Sequence, residues 1–390
     1  MTLQEALQKR DFEIAKALLK NGETLPETLH DYQRTGIFDT VIREKAFEII
    51  DLFIANDIIE TDIYEYDSFK KTIFESIVKQ LKNDSDSADF LSGFLTKLES
   101  INDELEGQTF LKMAVEAEMD PTLIKIMVDG GCDINTIDRS EENLIHQIVK
   151  KHARNYDKGL EYLQFFYEEG LDIDKPNAAK KTPLHIAVEF HKNAYMQWLM
   201  EQGADGNAQD KEGNSPFFLA VAQGGGSEKY EIMRAYGSPD FDQQNNRGES
   251  LLYEAIRMMQ TDSAENLALF KLLLEDGADL YQSTTNYGKT VDATDVLAEK
   301  PVAFLQLAID SGQLNVDHQD ANGNTILHKV CARETLREEK RAKAVYRAVK
   351  LLLNAGADPT VVNSAEETPM MLASKDDLKT KTVALLIAHK

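Results

Sequence analysis

Apolar residues along this chain fall in pairs of short runs separated by polar, turn-rich stretches, and the pairs recur. In the clearest case Leu184, Ile186, Ala187 and Val188 form one run and Trp198, Leu199 and Met200 form the next. The polar stretch Asp205-Gly206-Asn207-Ala208-Gln209-Asp210-Lys211-Glu212-Gly213 follows. The pattern then restarts at Ser215-Pro216-Phe217-Phe218, 33 residues after Thr182-Pro183-Leu184-His185. This arrangement predicts two short helices followed by a projecting, hairpin-like finger rich in turn formers. A Thr or Ser hydroxyl caps the first helix by accepting from an orphan backbone N–H. Pro183 fits the first helical position, where its missing N–H costs nothing. Gly203 supplies the left-handed residue that ends the second helix.

The same spacing locates further units. Downstream openings are expected at Ser250, Thr290, Thr325 and Thr368, and upstream ones at Thr109 and Asn143. Glycines that would close second helices stand at Gly131, Gly170, Gly203, Gly277, Gly312 and Gly356, and Gly277-Ala278-Asp279 and Gly356-Ala357-Asp358 repeat Gly203-Ala204-Asp205. This pattern resembles the ankyrin repeat, with its Thr-Pro-Leu-His-x-Ala opening and period of about 33 residues. The resemblance implies an all-α solenoid of stacked helix-turn-helix units with hairpin-like finger loops.

Residues 1–108 carry the pattern in weaker form. Leu3–Leu7 and Phe12–Gly22 fit one pair of helices, the Phe47–Ile54 segment lies 35 residues after its equivalent at Phe12, and Thr72-Ile73-Phe74 reads as a third opening. The expected organisation is about eleven units: three degenerate ones over 1–108 and a regular array over 109–390. The alternative is a separate helical domain over residues 1–108. Atypical terminal repeats are expected because they cap the stack.

Charge changes the picture most among the composition terms. The chain carries 43 Lys and Arg against 67 Asp and Glu, a net charge of −24. That argues against nucleic acid and against anionic membranes, both of which need a basic surface. It permits steering of a basic protein partner, or simply keeps a long repeat protein soluble and monomeric. No apolar run approaches the length of a bilayer span, and the N-terminus lacks the pattern of a signal peptide, so a cytoplasmic location is expected.

Candidate chemistry is sparse. Cys132 and Cys331 occupy slots usually held by Ala, which predicts small buried thiols and no disulfide. His146, His185 and His328 all stand fourth in the opening element, where the resemblance implies a structural role, hydrogen-bonded to backbone across repeats. Trp198 is expected in the core. Gly224-Gly225-Gly226 lacks the lysine and spacing of a phosphate loop and reads as a loop between helices. No metal or cofactor is implied, and no enzyme.

The resemblance also implies a concave binding face made of first-helix surfaces and finger tips. On first helices this gives Glu116, Lys150, Glu189, Phe190, Tyr253 and Arg257. On fingers it gives Asp138, Arg139, Lys211, Glu212, Tyr287, His318 and Asp320. Phe190, Tyr253 and Tyr287 stand out, because aromatics and Arg dominate binding hot spots. Insertions after His152, after Met258 and within Arg333–Ala344 add loops that could set specificity. The function expected is a non-catalytic protein-binding scaffold. The alternatives are a bacterial immunity protein that occludes a basic toxin or enzyme, and a secreted bacterial effector that acts as an adaptor.

Overall fold

The computed structural model describes residues 1–26, 28–151, 156–222 and 227–389. The Gly224–Gly226 loop and the start of the insertion at His152 lie outside the described residues. Two compact units divide the chain, Met1–Ala179 and Lys180–Lys390. Within each, short α-helices come in pairs.

The first unit holds α1 (Leu3–Gln8), α2 (Phe12–Lys20), α3 (Asp31–Arg43), α4 (Phe47–Ala55), α5 (Ile73–Gln80), α6 (Ser85–Leu95), α7 (Phe110–Glu116), α8 (Pro121–Asp129), α9 (Leu144–Lys150) and α10 (Tyr156–Glu168). The odd-numbered helices pack in succession, α1 on α3, α3 on α5, α5 on α7 and α7 on α9. Among the even-numbered helices, α2 packs on α4, α6 on α8 and α8 on α10. Phe47 of α4 and Phe90 of α6 stack with centroids 4.1 Å apart. Packing of α7 on α5 and of α8 on α6 runs across residues 108 and 109, where the sequence placed a boundary.

The second unit holds α11 (Pro183–Glu189), α12 (Asn193–Glu201), α13 (Pro216–Ala222), α14 (Glu228–Arg234), α15 (Leu251–Met258), α16 (Ala264–Glu275), a hairpin of β1 (Thr284–Asn286) and β2 (Lys289–Val291), α17 (Ala293–Leu297), α18 (Val302–Asp310), α19 (Ile326–Ala332), α20 (Glu339–Asn354), α21 (Pro369–Ala373) and α22 (Thr380–Ala388). Here too the first helices, α11, α13, α15, α17, α19 and α21, pack each on the next.

Stacking needs a helix that is buried nearly all round, and the sequence supplies it. On α11, Pro183 through Val188 are all buried, and on α12 Tyr195, Met196, Trp198, Leu199 and Met200 are buried. Helices this short are marginal alone, so their stability comes from the faces they bury. Caps fix the ends. Asn143 and Thr325 each accept from the backbone N–H three residues on, while His146 Nδ1 and His328 Nδ1 accept from the backbone N–H of the cap. The glycines expected after second helices all have positive φ, Gly203 at +87° among them.

One opening differs from the sequence expectation. The cap of α17 is Asp292, not Thr290, with Asp295 completing the reciprocal pair of hydrogen bonds. Thr290 lies instead on β2, opposite Thr285. The residues gained by this shift lengthen the finger before α17 into a true β-hairpin. The insertion after Arg333 behaves as expected: it adds a short loop and lengthens α20 to 16 residues.

Candidate functional site

Five fingers are built on the same device. An Asp or Asn near the base of each accepts backbone N–H groups two and four residues on, an arrangement its short side chain favours. Asp138 accepts from Ser140 (2.8 Å) and Glu142 (2.9 Å). Asp210 accepts from Glu212 and Asn214, both at 2.9 Å. Asn245, Asp320 and Asn363 repeat the pattern. Adjacent fingers then join edge to edge. The Asn246 N–H donates to the Glu212 carbonyl at 2.9 Å, its side-chain amide to the Lys211 carbonyl at 2.6 Å, and the Thr285 N–H to the Gly248 carbonyl at 2.8 Å.

Four of the candidate residues on first helices share a second device. Glu116, Lys150, Glu189 and Arg257 each stand eight residues after the position that precedes the helix cap, as Lys375 does in the last repeat, and in four repeats the two side chains meet. Gln108 donates to Glu116 at 2.5 Å, Lys150 to Glu142 at 3.2 Å, Lys375 to Glu367 at 2.6 Å, and Lys181 pairs with Glu189. Arg257 pairs instead with Glu254 within its own helix (2.5 and 2.6 Å). Glu142 is buried under its pairing with the exposed Lys150, while Lys181 and Glu189 are both half-buried. In three of the four repeats the sequence signal is opposite charges eight apart around a cap, at Glu142 and Lys150, Lys181 and Glu189, and Glu367 and Lys375.

Three candidates stand differently from expectation. Tyr253 is 2% exposed. It is the fourth residue of Ser250-Leu251-Leu252-Tyr253 and so fills the slot that His146, His185 and His328 fill elsewhere. Burial pushes its phenol pKa up. His318 packs on Tyr281, ring centroids 3.8 Å apart. Asp320 is drawn inward, accepting from the Asn322 and Asn324 N–H groups and pairing with Lys329 at 3.2 Å. Lys329 also meets Asp292 (3.1 Å) and Asp295 (3.0 Å), a caged cation that holds α19 against α17. Of the remaining candidates, Asp138 and Glu189 are half-buried and the others are exposed. Phe190 is 45% and Tyr287 99% exposed, the latter at the hairpin tip, and Arg139, Lys211, Glu212, Lys150 and Arg257 are exposed.

The residues that tempt a catalytic reading are committed to the fold. His185 Nδ1 accepts from the Thr182 N–H at 3.0 Å, which leaves Nε2–H to donate to the Asn214 carbonyl at 3.1 Å. Burial lowers its pKa to about 4. His328 reaches the Glu367 carbonyl in the same way, and burial lowers its pKa too. Burial pushes both thiols, Cys132 and Cys331, up to about 12, far from a reactive thiolate. Trp198 is buried. Lys112 occupies the same slot as these histidines in its repeat. It is 1% exposed, and its Nζ has no hydrogen-bond partner among the described residues. No helix among the described residues is long and apolar enough to cross a membrane.

Comparison with known proteins agrees with this architecture. The family model described as ankyrin repeats (3 copies) matches residues 111–210 and 151–235, and the ankyrin repeat model matches residues 322–364. The NF-kappa-B inhibitor delta of Mus musculus is 28% identical over 63% of this chain and 78% of its own length. The B-cell lymphoma 3 protein of Homo sapiens is 26% identical over 54% of this chain, and the match spans only 43% of that protein. Among solved structures, the ankyrin repeat domain of Bcl-3, described as a unique member of the IkappaB protein family, superposes with a TM-score of 0.51 at 22% identity, over 64% of this chain and all of that one. With two family models, the caps, the cross-repeat histidines and the stacked helix pairs in agreement, the chain belongs to the ankyrin repeat family.

Proposed function

We propose that this protein is a non-catalytic scaffold that binds a partner protein through its first-helix ends and finger tips. The observation that carries the reading is a division of labour. The histidines, the thiols and the finger carboxylates are consumed by the fold, while Phe190, Tyr287, Arg139 and Arg257 are left reachable along the rows where partners dock. Aromatic and Arg side chains are the residue types that anchor protein interfaces. The names of the relatives support the same class, and we carry over to this chain only the class, protein binding.

The partner's charge follows from an uneven distribution. Residues 1–179 carry 20 Lys and Arg against 37 Asp and Glu, a net of −17, and residues 180–390 carry 23 against 30, a net of −7. A basic partner would be steered to the first unit, with association slowed by salt. We read residues 1–108 as degenerate repeats of the same array, the free chain as a monomer, and the cytoplasm as its compartment, in keeping with two buried free thiols. A narrower reading, that binding inhibits the partner, is supported by the name of the mouse relative. Affinity capture from native lysate at low and high salt tests the whole. A stoichiometric basic protein released by salt supports the scaffold, and loss of that protein's activity on adding this chain supports inhibition. Absence of any stoichiometric protein at either salt contradicts both.

A further inference from the structure

The longest helix among the described residues is α20, with 16 residues where the second helix α12 has nine. It is about 24 Å long at 1.5 Å per residue. One face is spent on the stack: Ala342, Val345, Ala348, Val349, Leu352 and Leu353 are buried, and the helix packs on α18, α19 and α22. Away from that face stand Lys340, Lys343, Arg347 and Lys350, all exposed. Spacings of three and four residues set them in one stripe. Lys340, Arg347 and Lys350 form no ion pair among the described residues, and Lys343 meets Glu339 at 3.6 Å in a fully solvated pair. From Lys340 to Asn354 the helix holds five Lys and Arg and no Asp or Glu, whereas the rest of the second unit holds 18 against 30. Acids gather instead at the N-terminal end, where a helix favours them. Glu338 and Glu339 open the helix, Arg341 pairs with Glu338 at 3.0 Å, and Asp376, next to Asp377, accepts from the Thr335 hydroxyl at 2.6 Å. Of the flanking second helices, α18 brings one acid, Asp310, as its last residue, and α22 brings Lys381 and no acid.

We infer that the stripe Lys340, Lys343, Arg347 and Lys350 docks an acidic segment of a partner protein. The inference adds a second contact to the proposed scaffold and rests on that reading for the class of ligand. Charge complementarity selects the occupant: a run of carboxylates the length of one helix meets four exposed cations and no acid along the last three turns. A basic segment would be repelled there. Nucleic acid and anionic bilayers carry the right sign but extend far beyond one helix. Their further phosphates would face a surface that, without Lys340–Asn354, carries a net −29. A bilayer also needs an apolar helix face to insert, and that of α20 is buried in the stack.

The test measures binding of a fluorescein-labelled octaglutamate peptide to the full chain by fluorescence anisotropy at low salt. Controls are an eight-nucleotide oligothymidylate and vesicles of phosphatidylserine and phosphatidylcholine. The inference predicts that octaglutamate binds despite the chain's net charge, and that the triple variant Lys343→Glu, Arg347→Glu, Lys350→Glu weakens it by about tenfold or more. A second triple variant, Lys211→Glu, Lys271→Glu, Lys289→Glu, changes the net charge equally but leaves the stripe intact, and weakens binding by less than about threefold. Circular dichroism confirms that each variant folds. Octaglutamate binding that is absent, equally weakened in the two triple variants, or weaker than binding to oligothymidylate or vesicles overturns the inference. Lysate capture separates the two levels. A stoichiometric partner on wild type without octaglutamate binding keeps the scaffold and sinks this contact, whereas octaglutamate binding at the stripe with no partner from lysate supports the contact and sinks the scaffold.

Discussion

The Nε2 of His185 lies 3.1 Å from the carbonyl oxygen of Asn214, 29 residues along the chain and at the threshold of the next repeat. The bond requires a neutral ring with its proton on Nε2, because Nδ1 already accepts from the Thr182 N–H. Burial lowers the pKa to about 4, well below the ordinary value near 6.5. The unfolded chain therefore binds more protons than the folded one between these values, so stability rises with pH across that window. His185 contributes its full share above about pH 6.5 and loses it as pH falls toward 4, on the order of 3 kcal/mol in all. Urea unfolding at pH 7 and pH 5 measures this. The expected result is a drop in stability at pH 5 that is smaller in His185→Gln. Equal drops in the two proteins would contradict the assignment.

Lys112 makes the opposite prediction. It fills the same slot as His185, but its Nζ is buried with no hydrogen-bond partner among the described residues. Burying an unsatisfied polar group costs about 1–3 kcal/mol. Lys112→Met keeps the stem and removes the ammonium, so it is expected to stabilise the protein by an amount of that order. Lys112→His offers the same gain by restoring a cross-repeat donor. A denaturant midpoint that falls in both variants would show that the ammonium has a partner after all.

The joined fingers separate backbone strain from crowding. Gly203, Gly213 and Gly248 all have positive φ, but a Cβ at Gly203 would meet nothing within 4 Å, while one at Gly213 would come within 2.7 Å of the Asn246 nitrogen and one at Gly248 within 2.8 Å of Thr285 Oγ1. Gly203→Ala is expected to cost about 1 kcal/mol through the left-handed backbone alone. Gly213→Ala and Gly248→Ala also push two fingers apart and are expected to cost about 2–3 kcal/mol. Chemical denaturation of the three variants gives the comparison. Equal costs would mean that the fingers are not joined as described.

Much of this fold was legible in the sequence because it is written locally. Thr109, Asn143, Thr182, Thr325 and Thr368 cap the helices where the spacing put them, and Trp198, Cys132 and Cys331 are buried as expected. The misplacement of the cap before α17 has a simple cause. Thr290 matches the opening residue type, but the hairpin uses it as a strand residue, and β-branched Thr suits both roles. Tyr253 is aromatic, which suggests a hot spot, but as the fourth residue of its opening element it is buried. His318 and Asp320 are finger residues by spacing, and each has a partner within the fold. Their partners, Tyr281 and Lys329, lie 37 and nine residues away, and only the fold brings them together. Which exposed residues meet a partner is not a local property, and neither spacing nor packing encodes it.

The central claim is that the exposed row, and not the helical stack, carries the function. Affinity capture from native lysate with wild type and with the double variant Phe190→Ser, Tyr287→Ser tests it most directly. Both side chains are exposed, so the variant is expected to keep the wild-type circular dichroism spectrum and melting temperature. The account predicts a stoichiometric partner on wild type that is lost or strongly reduced on the variant. Equal recovery of that partner on both proteins would contradict it.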